Sequence, residues 1–272
     1  MIDFADVTYR YPDGTNALTG ASVSFQSGEI TAIVGPNGSG KSTMARLMMG
    51  LLLPTDGRIL VDEQDTRTTP ASVIRRLVGL AWQNPDNQLV CGVVEDDIAF
   101  GPENLGLTTT EIAERIDEAE DLLQLGDIRT TSIHSLSSAQ KQLVAVAGAM
   151  ALRPSYLILD EVTARLDPSS SHRLLDGIRV WARDHRSGVI MITHHLSEVL
   201  RADRVCRLEA LPSGGRVAAF GSPDEILRDA KHDDDVALES PLYDTIFRLE
   251  QNGVHLAGVP ETVDELVEQL CR

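Results

Sequence analysis

Nine consecutive residues, Gly35-Pro36-Asn37-Gly38-Ser39-Gly40-Lys41-Ser42-Thr43, have the spacing G-x-x-x-x-G-K-[ST] of a loop that holds phosphates. Glycines let backbone N–H groups turn inward around an anion, and the helix that follows adds positive potential at its N-terminus. Lys41 is expected to reach the β- and γ-phosphates of a nucleotide, and the Ser42 hydroxyl to ligate Mg²⁺. A second group stands at Tyr156-Leu157-Ile158-Leu159-Asp160-Glu161, where four apolar residues run into two acids. Asp160 is expected to hold Mg²⁺ at the tip of a buried strand. Glu161 is then placed to polarise a water. Either segment alone could be an ordinary loop, but the pair is a consistent set for phosphoryl chemistry.

These residues need an α/β framework. Gly28 to Gly35 is an apolar strand between glycines, followed by a predicted helix over Lys41 to Leu53. Leu77 to Trp82, Tyr156 to Leu159 and Val189 to Thr193 are further short apolar runs, as a parallel sheet covered on both faces requires. Pro168 to His185 has helical periodicity, with Pro168 in the first turn where a missing N–H costs nothing. The alternation breaks over about 93–153, where Thr108 to Leu125 and Ser138 to Leu152 read as two helices. After Asp203 come two short strands and a helix start at Ser222-Pro223-Asp224-Glu225. Lys231 to Asp235 reads as polar loop, and Leu242 to Asn252 and Thr262 to Leu270 as helices. The plan is α/β with βαβ units and a helical insertion.

Composition narrows the partners. The 272 residues contain 24 Lys+Arg and 41 Asp+Glu, a formal net charge of −17. Phosphate neutralisation needs clustered Lys and Arg, so nucleic acid is excluded as an expected partner. Adhesion to anionic lipid by charge alone is excluded likewise. Residues 223–272 carry 13 acidic and 4 basic residues, so more than half of the excess sits in that tail. Cys91, Cys206 and Cys271 stand far apart in no metal-ligand spacing, as a reduced cytosolic set does. Asp3 and Asp6 occupy the place of a basic n-region, so no secretory leader is expected. The longest apolar stretch, Leu143 to Leu152, falls short of the about 20 residues that span a bilayer. Direct membrane insertion is therefore not expected; work at a membrane would go through a protein partner.

With four further elements these segments resemble the nucleotide-binding subunit of ATP-binding cassette (ABC) transporters, in order along residues 1–230. The elements are Tyr11, Gln83, Leu136-Ser137-Ser138-Ala139-Gln140, and His194 after an apolar strand. The resemblance implies a RecA-like P-loop NTPase core with an N-terminal antiparallel β part, an inserted helical signature subdomain and a mostly helical C-terminal extension over 231–272. It implies that Tyr11 stacks on adenine and that Gln83 senses Mg²⁺ and couples to the membrane partner. Glu161 becomes the catalytic base, Asp167 an aspartate that crosses a dimer interface, and His194 a switch histidine on the γ-phosphate. His195 is left as a bystander. Ser137, Ser138 and Gln140 would face the ATP held by a second subunit.

A narrower likeness follows from Trp82-Gln83-Asn84-Pro85-Asp86-Asn87-Gln88-Leu89, from Val94 to Gly106, and from Phe220-Gly221-Ser222-Pro223-Asp224-Glu225-Ile226. These look like the energy-coupling factor (ECF) transporter ATPases, a group that includes cobalt and nickel uptake ATPases. That likeness implies ATP and Mg²⁺, a second ABC ATPase as homo- or heterodimer partner, a membrane T component and a substrate-binding S component. It implies import of a vitamin or transition-metal ion, from the cytoplasmic face of the cell membrane. The other readings are the ATPase of a conventional ABC transporter, or a soluble ABC ATPase without a transporter. The latter usually carries long coiled-coil insertions or two cassettes; this chain has one cassette and no heptad run.

The sequence departs from the family at the signature, usually Leu-Ser-Gly-Gly-Gln with an Arg three residues on. Ser138 and Ala139 replace the glycines, and Leu143 stands at the Arg position. Val162 stands where Pro is usual, and Arg165 where a small residue is usual. Two added Cβ atoms where backbone approaches phosphate are expected to weaken the signature that this chain offers its partner's ATP. The expectation is one strong and one weak hydrolytic site.

Overall fold

A computed structural model describes residues 1–229, 236–238, 240–252, 254 and 256–271. The predicted loop at Lys231 to Asp235 lies outside the described residues. In chain order the strands and helices begin with β1 (Ile2–Arg10), β2 (Asn16–Phe25), β3 (Ile30–Val34) and α1 (Lys41–Met48). Then come β4 (Asp56–Val61), β5 (Gln64–Asp65), α2 (Ala71–Leu77), β6 (Val78–Ala81), α3 (Val94–Asn104), α4 (Thr109–Leu123) and α5 (Ser138–Ala151). The chain continues through β7 (Tyr156–Asp160), α6 (Pro168–His185), β8 (Gly188–Ile192), α7 (Leu196–Leu200), β9 (Arg204–Leu211) and β10 (Gly214–Gly221). It closes with α8 (Pro223–Asp229), α9 (Pro241–Gln251) and α10 (Val263–Leu270).

Among the described residues, ten strands join one sheet in the order β5-β4-β1-β2-β10-β9-β3-β8-β7-β6. On one side β9, β3, β8, β7 and β6 run parallel; on the other β5, β4, β1 and β2 pair antiparallel, with β10 between. This is the P-loop α/β class. Strands β3, β7 and β8 are buried at every position, as crossover helices on both faces demand. In β1 a shift of register between Phe4 and Val7 keeps Ile2, Phe4, Val7 and Tyr9 all inward, in the core shared with α1. One core lies between the sheet and α1; the other lies under α3, α4, α5 and α6. Among the described residues no helix is long and apolar enough to cross a membrane.

One helix end and several short elements differ from the sequence expectation. Helix α1 stops at Met48 instead of Leu53. Gly50 adopts φ +62°, its N–H donates to Leu47 O at 3.0 Å, and the Leu51 N–H donates to Arg46 O at 3.0 Å. That is a Schellman stop, with glycine in the left-handed position. Helices α2 and α3 were not anticipated. Helix α3 starts with Glu95, Asp96 and Asp97 in its first turn, where acids favour a helix N-terminus.

Helix α4 crosses α6 at Gly177, where a Cβ would stand 2.6 Å from Leu122 O. A methyl group there must push the helices apart. Gly177→Ala is therefore expected to destabilise the chain by about 1–3 kcal/mol in denaturant unfolding. An unchanged midpoint would show that the crossing has slack.

Candidate active site

The chemistry sits at the C-terminal ends of the parallel strands, where open α/β sheets bind ligands. The loop between β3 and α1 is shaped by glycines at two tight points. At Gly35 (φ +139°) a Cβ would stand 2.3 Å from Leu208 O; at Gly40 (φ +95°) it would stand 2.6 Å from Ala17 O. No other residue type fits either place. The loop leaves a cavity of about 290 Å³ lined by Tyr11, Asn37, Gly38, Lys41, Ser42 and Glu161, among others. Thr43 and Gly40 line it too.

Lys41 is buried, and its ammonium donates to Gly35 O at 2.6 Å and Pro36 O at 3.1 Å. Burial lowers its pKa, while the nearby Glu161 and Asp160 carboxylates pull it back up. The Ser39 hydroxyl is fully buried without a partner, a polar atom left over inside the cradle. Tyr11 meets Thr43 Oγ1 through its hydroxyl at 3.0 Å and packs edge-on against Tyr9.

Asp160 ends β7, buried beside the cradle. Burial raises its pKa and Glu161 raises it further; a hydrogen bond from Ser42 and the Arg46 and Lys41 charges oppose them. At Glu161 the chain turns through φ +50°, a left-handed conformation unusual for this residue type, and its N–H donates to Ile192 O at 3.0 Å. That turn presents the Glu161 carboxylate to two elements at once. Gln83 Nε2 donates to its Oε2 at 2.5 Å, and His194 Nε2 stands 3.2 Å from its Oε1. Gln83, Glu161, Thr193 and His194 line a second cavity of about 230 Å³. Glu161 thus belongs to both cavities. His195 also lines the second one, and its backbone N–H donates to Thr193 Oγ1 at 3.0 Å. A larger cavity, about 530 Å³ between Gly28, Ile30 and α6, is lined by none of these residues.

Gln142, Gln88 and the Thr163–Glu198 pair hold this group in place. Gln142 Nε2 donates to Trp82 O at 2.9 Å, and Trp82 N–H donates to Gln88 Oε1 at 3.2 Å. The peptide before Gln83 is therefore gripped by α5 and by its own loop. The Thr163 hydroxyl donates to the buried Glu198 carboxylate, which fixes the turn after Glu161. Gln142 carried a signal: a polar residue on an otherwise apolar helix face needs a partner.

The signature residues stand apart. Ser137 caps α5 in a capping box with Gln140: Ser137 N–H donates to Gln140 Oε1 at 3.0 Å, and Gln140 N–H to Ser137 Oγ at 3.2 Å. Ser138 and Ala139 follow in right-handed helix, so the glycines they replace are not required by backbone conformation. Asp167 caps α6, accepting from Ser170 N–H at 3.0 Å and Ser170 Oγ at 2.6 Å, and these bonds lower its pKa. Ser137, Ser138, Gln140 and Asp167 line neither of this chain's two cavities.

The donor set fits a nucleoside triphosphate with Mg²⁺. Ser42 and Asp160 supply the hard oxygens that Mg²⁺ takes, and the orphaned Ser39 hydroxyl with the loop amides suits phosphate oxygens. Gln83, expected at the metal as well, faces Glu161.

The ABC transporter family model matches residues 18–164. The energy-coupling factor transporter ATP-binding protein EcfA1 of Symbiobacterium thermophilum is 46% identical over 259 residues, 94% of this chain and 88% of that protein. The EcfA protein of Syntrophomonas wolfei is 40% identical over 275 residues, covering 100% of this chain and 99% of that one. Among solved structures, cbiO1 of Clostridium perfringens, part of the ABC transporter complex cbiONQ, superposes with a TM-score of 0.76. It is 32% identical and covers 93% of this chain and 96% of its own. Matched by that family model over more than half its length and by these relatives over nearly all of it, the chain belongs to the ABC transporter family, among the energy-coupling factor transporter ATP-binding proteins.

Proposed function

We propose that this chain hydrolyses ATP as the cassette subunit of an ECF-type importer, driving uptake of a vitamin or transition-metal ion through membrane partner subunits. The observation that carries the site assignment is Glu161, which lines both the phosphate-loop cavity and the Gln83–His194 cavity. Lys41, Ser39, Thr43 and the backbone N–H groups of Asn37 to Ser42 bind the phosphates. Tyr11, at the cavity mouth, receives the adenine. Ser42 and Asp160 hold Mg²⁺, with Gln83 completing the set once it leaves Glu161. The ion, when bound, offsets charge on the β- and γ-phosphates. Glu161 accepts a proton from water and aligns it on the γ-phosphorus, while Lys41 and the Nε2 of His194 stabilise the developing charge. ATP leaves as ADP and phosphate.

Two cassettes then face head to tail. Ser137, Ser138 and Gln140, with the free N–H groups of α5, approach the partner's γ-phosphate, and Asp167 stands at the same interface. We assign residues 1–230 to the cassette, about 93–153 to its helical part and 231–272 to an extension that contacts the second ATPase. Because Gln142 and Gln88 grip the Trp82 peptide, a shift of α5 on closure carries Gln83 with it. Coupling from nucleotide to the membrane component runs through that grip. The chain works at the cytoplasmic face of the membrane, held there by its partners.

The experiment is affinity purification of the tagged chain from detergent extract. A polytopic membrane protein with a small-molecule-binding companion is the expected yield. A chain recovered alone at full expression would sink the transporter assignment. A second test concerns Ser138 and Ala139. Ser138→Gly/Ala139→Gly removes two Cβ atoms without altering the helical backbone, so steady-state ATPase of the assembled complex is expected to rise about two- to tenfold. A rate unchanged or lowered means that Ser-Ala serves as well as Gly-Gly.

A further inference from the structure

His194 has an oxygen acceptor at each ring nitrogen. Nε2 stands 3.2 Å from Glu161 Oε1, and Nδ1 stands 2.9 Å from the backbone carbonyl of Ala237, 43 residues later in the chain. A carbonyl only accepts, so Nδ1 must carry a proton. The Glu161 carboxylate facing Nε2 also only accepts, so the ring is a donor at both nitrogens, and the Nδ1 bond prevents it from flipping.

Ala237 is delivered by a short clip. Val236 before it is fully buried and Leu238 after it is 7% exposed, and both sit in the main core. Ala237 itself adopts φ +49°, which a non-glycine residue keeps only where its surroundings impose it. Ser240 N–H donates to Leu238 O at 3.0 Å, and the buried Tyr243 hydroxyl ties α9 back to Leu227 O at 3.0 Å. The two flanking anchors aim the Ala237 carbonyl at the imidazole rather than at solvent.

We propose that the Ala237 carbonyl is a positioning group for the ATPase site: by holding the protonated Nδ1 of His194, the C-terminal extension directs Nε2 at the γ-phosphate. The extension thereby completes each cassette's own site, in addition to any contact it makes with a second ATPase. The proposal rests on the reading that His194 meets the γ-phosphate. A ring without this bond would divide its time between two flips, and only a fraction would face the phosphate correctly.

Ala237→Pro locks φ near −65° and turns the carbonyl away. In the assembled complex, kcat for ATP is expected to fall about tenfold with KM changed less than about twofold. Ala237→Gly adopts positive φ freely and is expected to restore turnover. Placed in a His194→Ala background, Ala237→Pro is expected to add no further loss. A kcat within twofold of the parent for Ala237→Pro overturns the proposal. So does a second loss of equal size on top of His194→Ala. Should Ala237→Pro fail to fold, ¹⁵N NMR of the full chain labelled at histidine decides, with His194→Ala giving the assignment. A proton on Nδ1 of His194 supports the proposal, and a proton on Nε2 with a bare Nδ1 overturns it. If His194→Ala turns over at the parental rate, the underlying site assignment fails. If His194→Ala is inactive while Ala237→Pro is not impaired, only the positioning role fails.

Discussion

Glu161→Gln is expected to lower steady-state ATP turnover of the assembled complex by about 100- to 10,000-fold, the range that a lost general base gives. The substitution keeps the shape of the side chain and replaces one carboxylate oxygen with an amide nitrogen. Gln83, which donates to Glu161 Oε2, keeps an acceptor, since the amide retains one oxygen. The left-handed turn at φ +50° is as accessible to Gln as to Glu, so the backbone is not disturbed. What disappears is the negative charge that takes the proton from water. The phosphate loop is untouched, and the affinity for ATP is expected to stay within about threefold. Phosphate release and equilibrium nucleotide binding, measured on the same preparation, separate the two effects. Turnover near the wild-type rate would remove Glu161 from the base role.

Lys41→Ala should give the opposite pattern. Its ammonium is the one cation buried in the phosphate loop, held by Gly35 O and Pro36 O. Burial already penalises that charge, and the Asp160 and Glu161 carboxylates compensate in part. A triphosphate replaces the carbonyls as its partner. Truncating one member of a buried, charge-assisted pair costs about 2–5 kcal/mol. At about 1.4 kcal/mol per tenfold, ATP affinity is expected to fall about 100-fold or more. Turnover falls with it because the site is no longer filled. Titration with ATP is the check. An affinity within threefold of the parent would mean that the loop amides alone hold the nucleotide.

Much of this site was legible because its chemistry needs fixed residue types. The loop from Gly35 to Thr43 demands glycine where Leu208 O and Ala17 O leave no room for a Cβ. The run Tyr156 to Asp160 is apolar because the strand is buried on both faces, and the acids follow where it emerges. The end of α1 was misplaced because Leu51, Leu52 and Leu53 continue an apolar pattern beyond a glycine stop that only the backbone conformation reveals. Helix α3 is hard to read in the sequence because Gly101 and Pro102 interrupt its periodicity, although Glu95, Asp96 and Asp97 favour its start. The Ala237 carbonyl was beyond reach altogether, since every residue carries one and only the fold selects which meets His194.

The acidity also takes a different place. The cradle gathers the buried Lys41 ammonium at a helix N-terminus within a chain of net charge −17, and most of the excess lies in residues 223–272. Among the described residues, that tail meets the site through the neutral backbone oxygen of Ala237.

The most direct test is the identity of the nucleotide that stays bound when the chain, assembled with its membrane partners in lipid vesicles, is given MgATP and then separated from free nucleotide. For Glu161→Gln the account predicts bound ATP and no phosphate released, beside a wild-type complex that releases phosphate continuously. Bound ADP with phosphate released at the wild-type rate would contradict it.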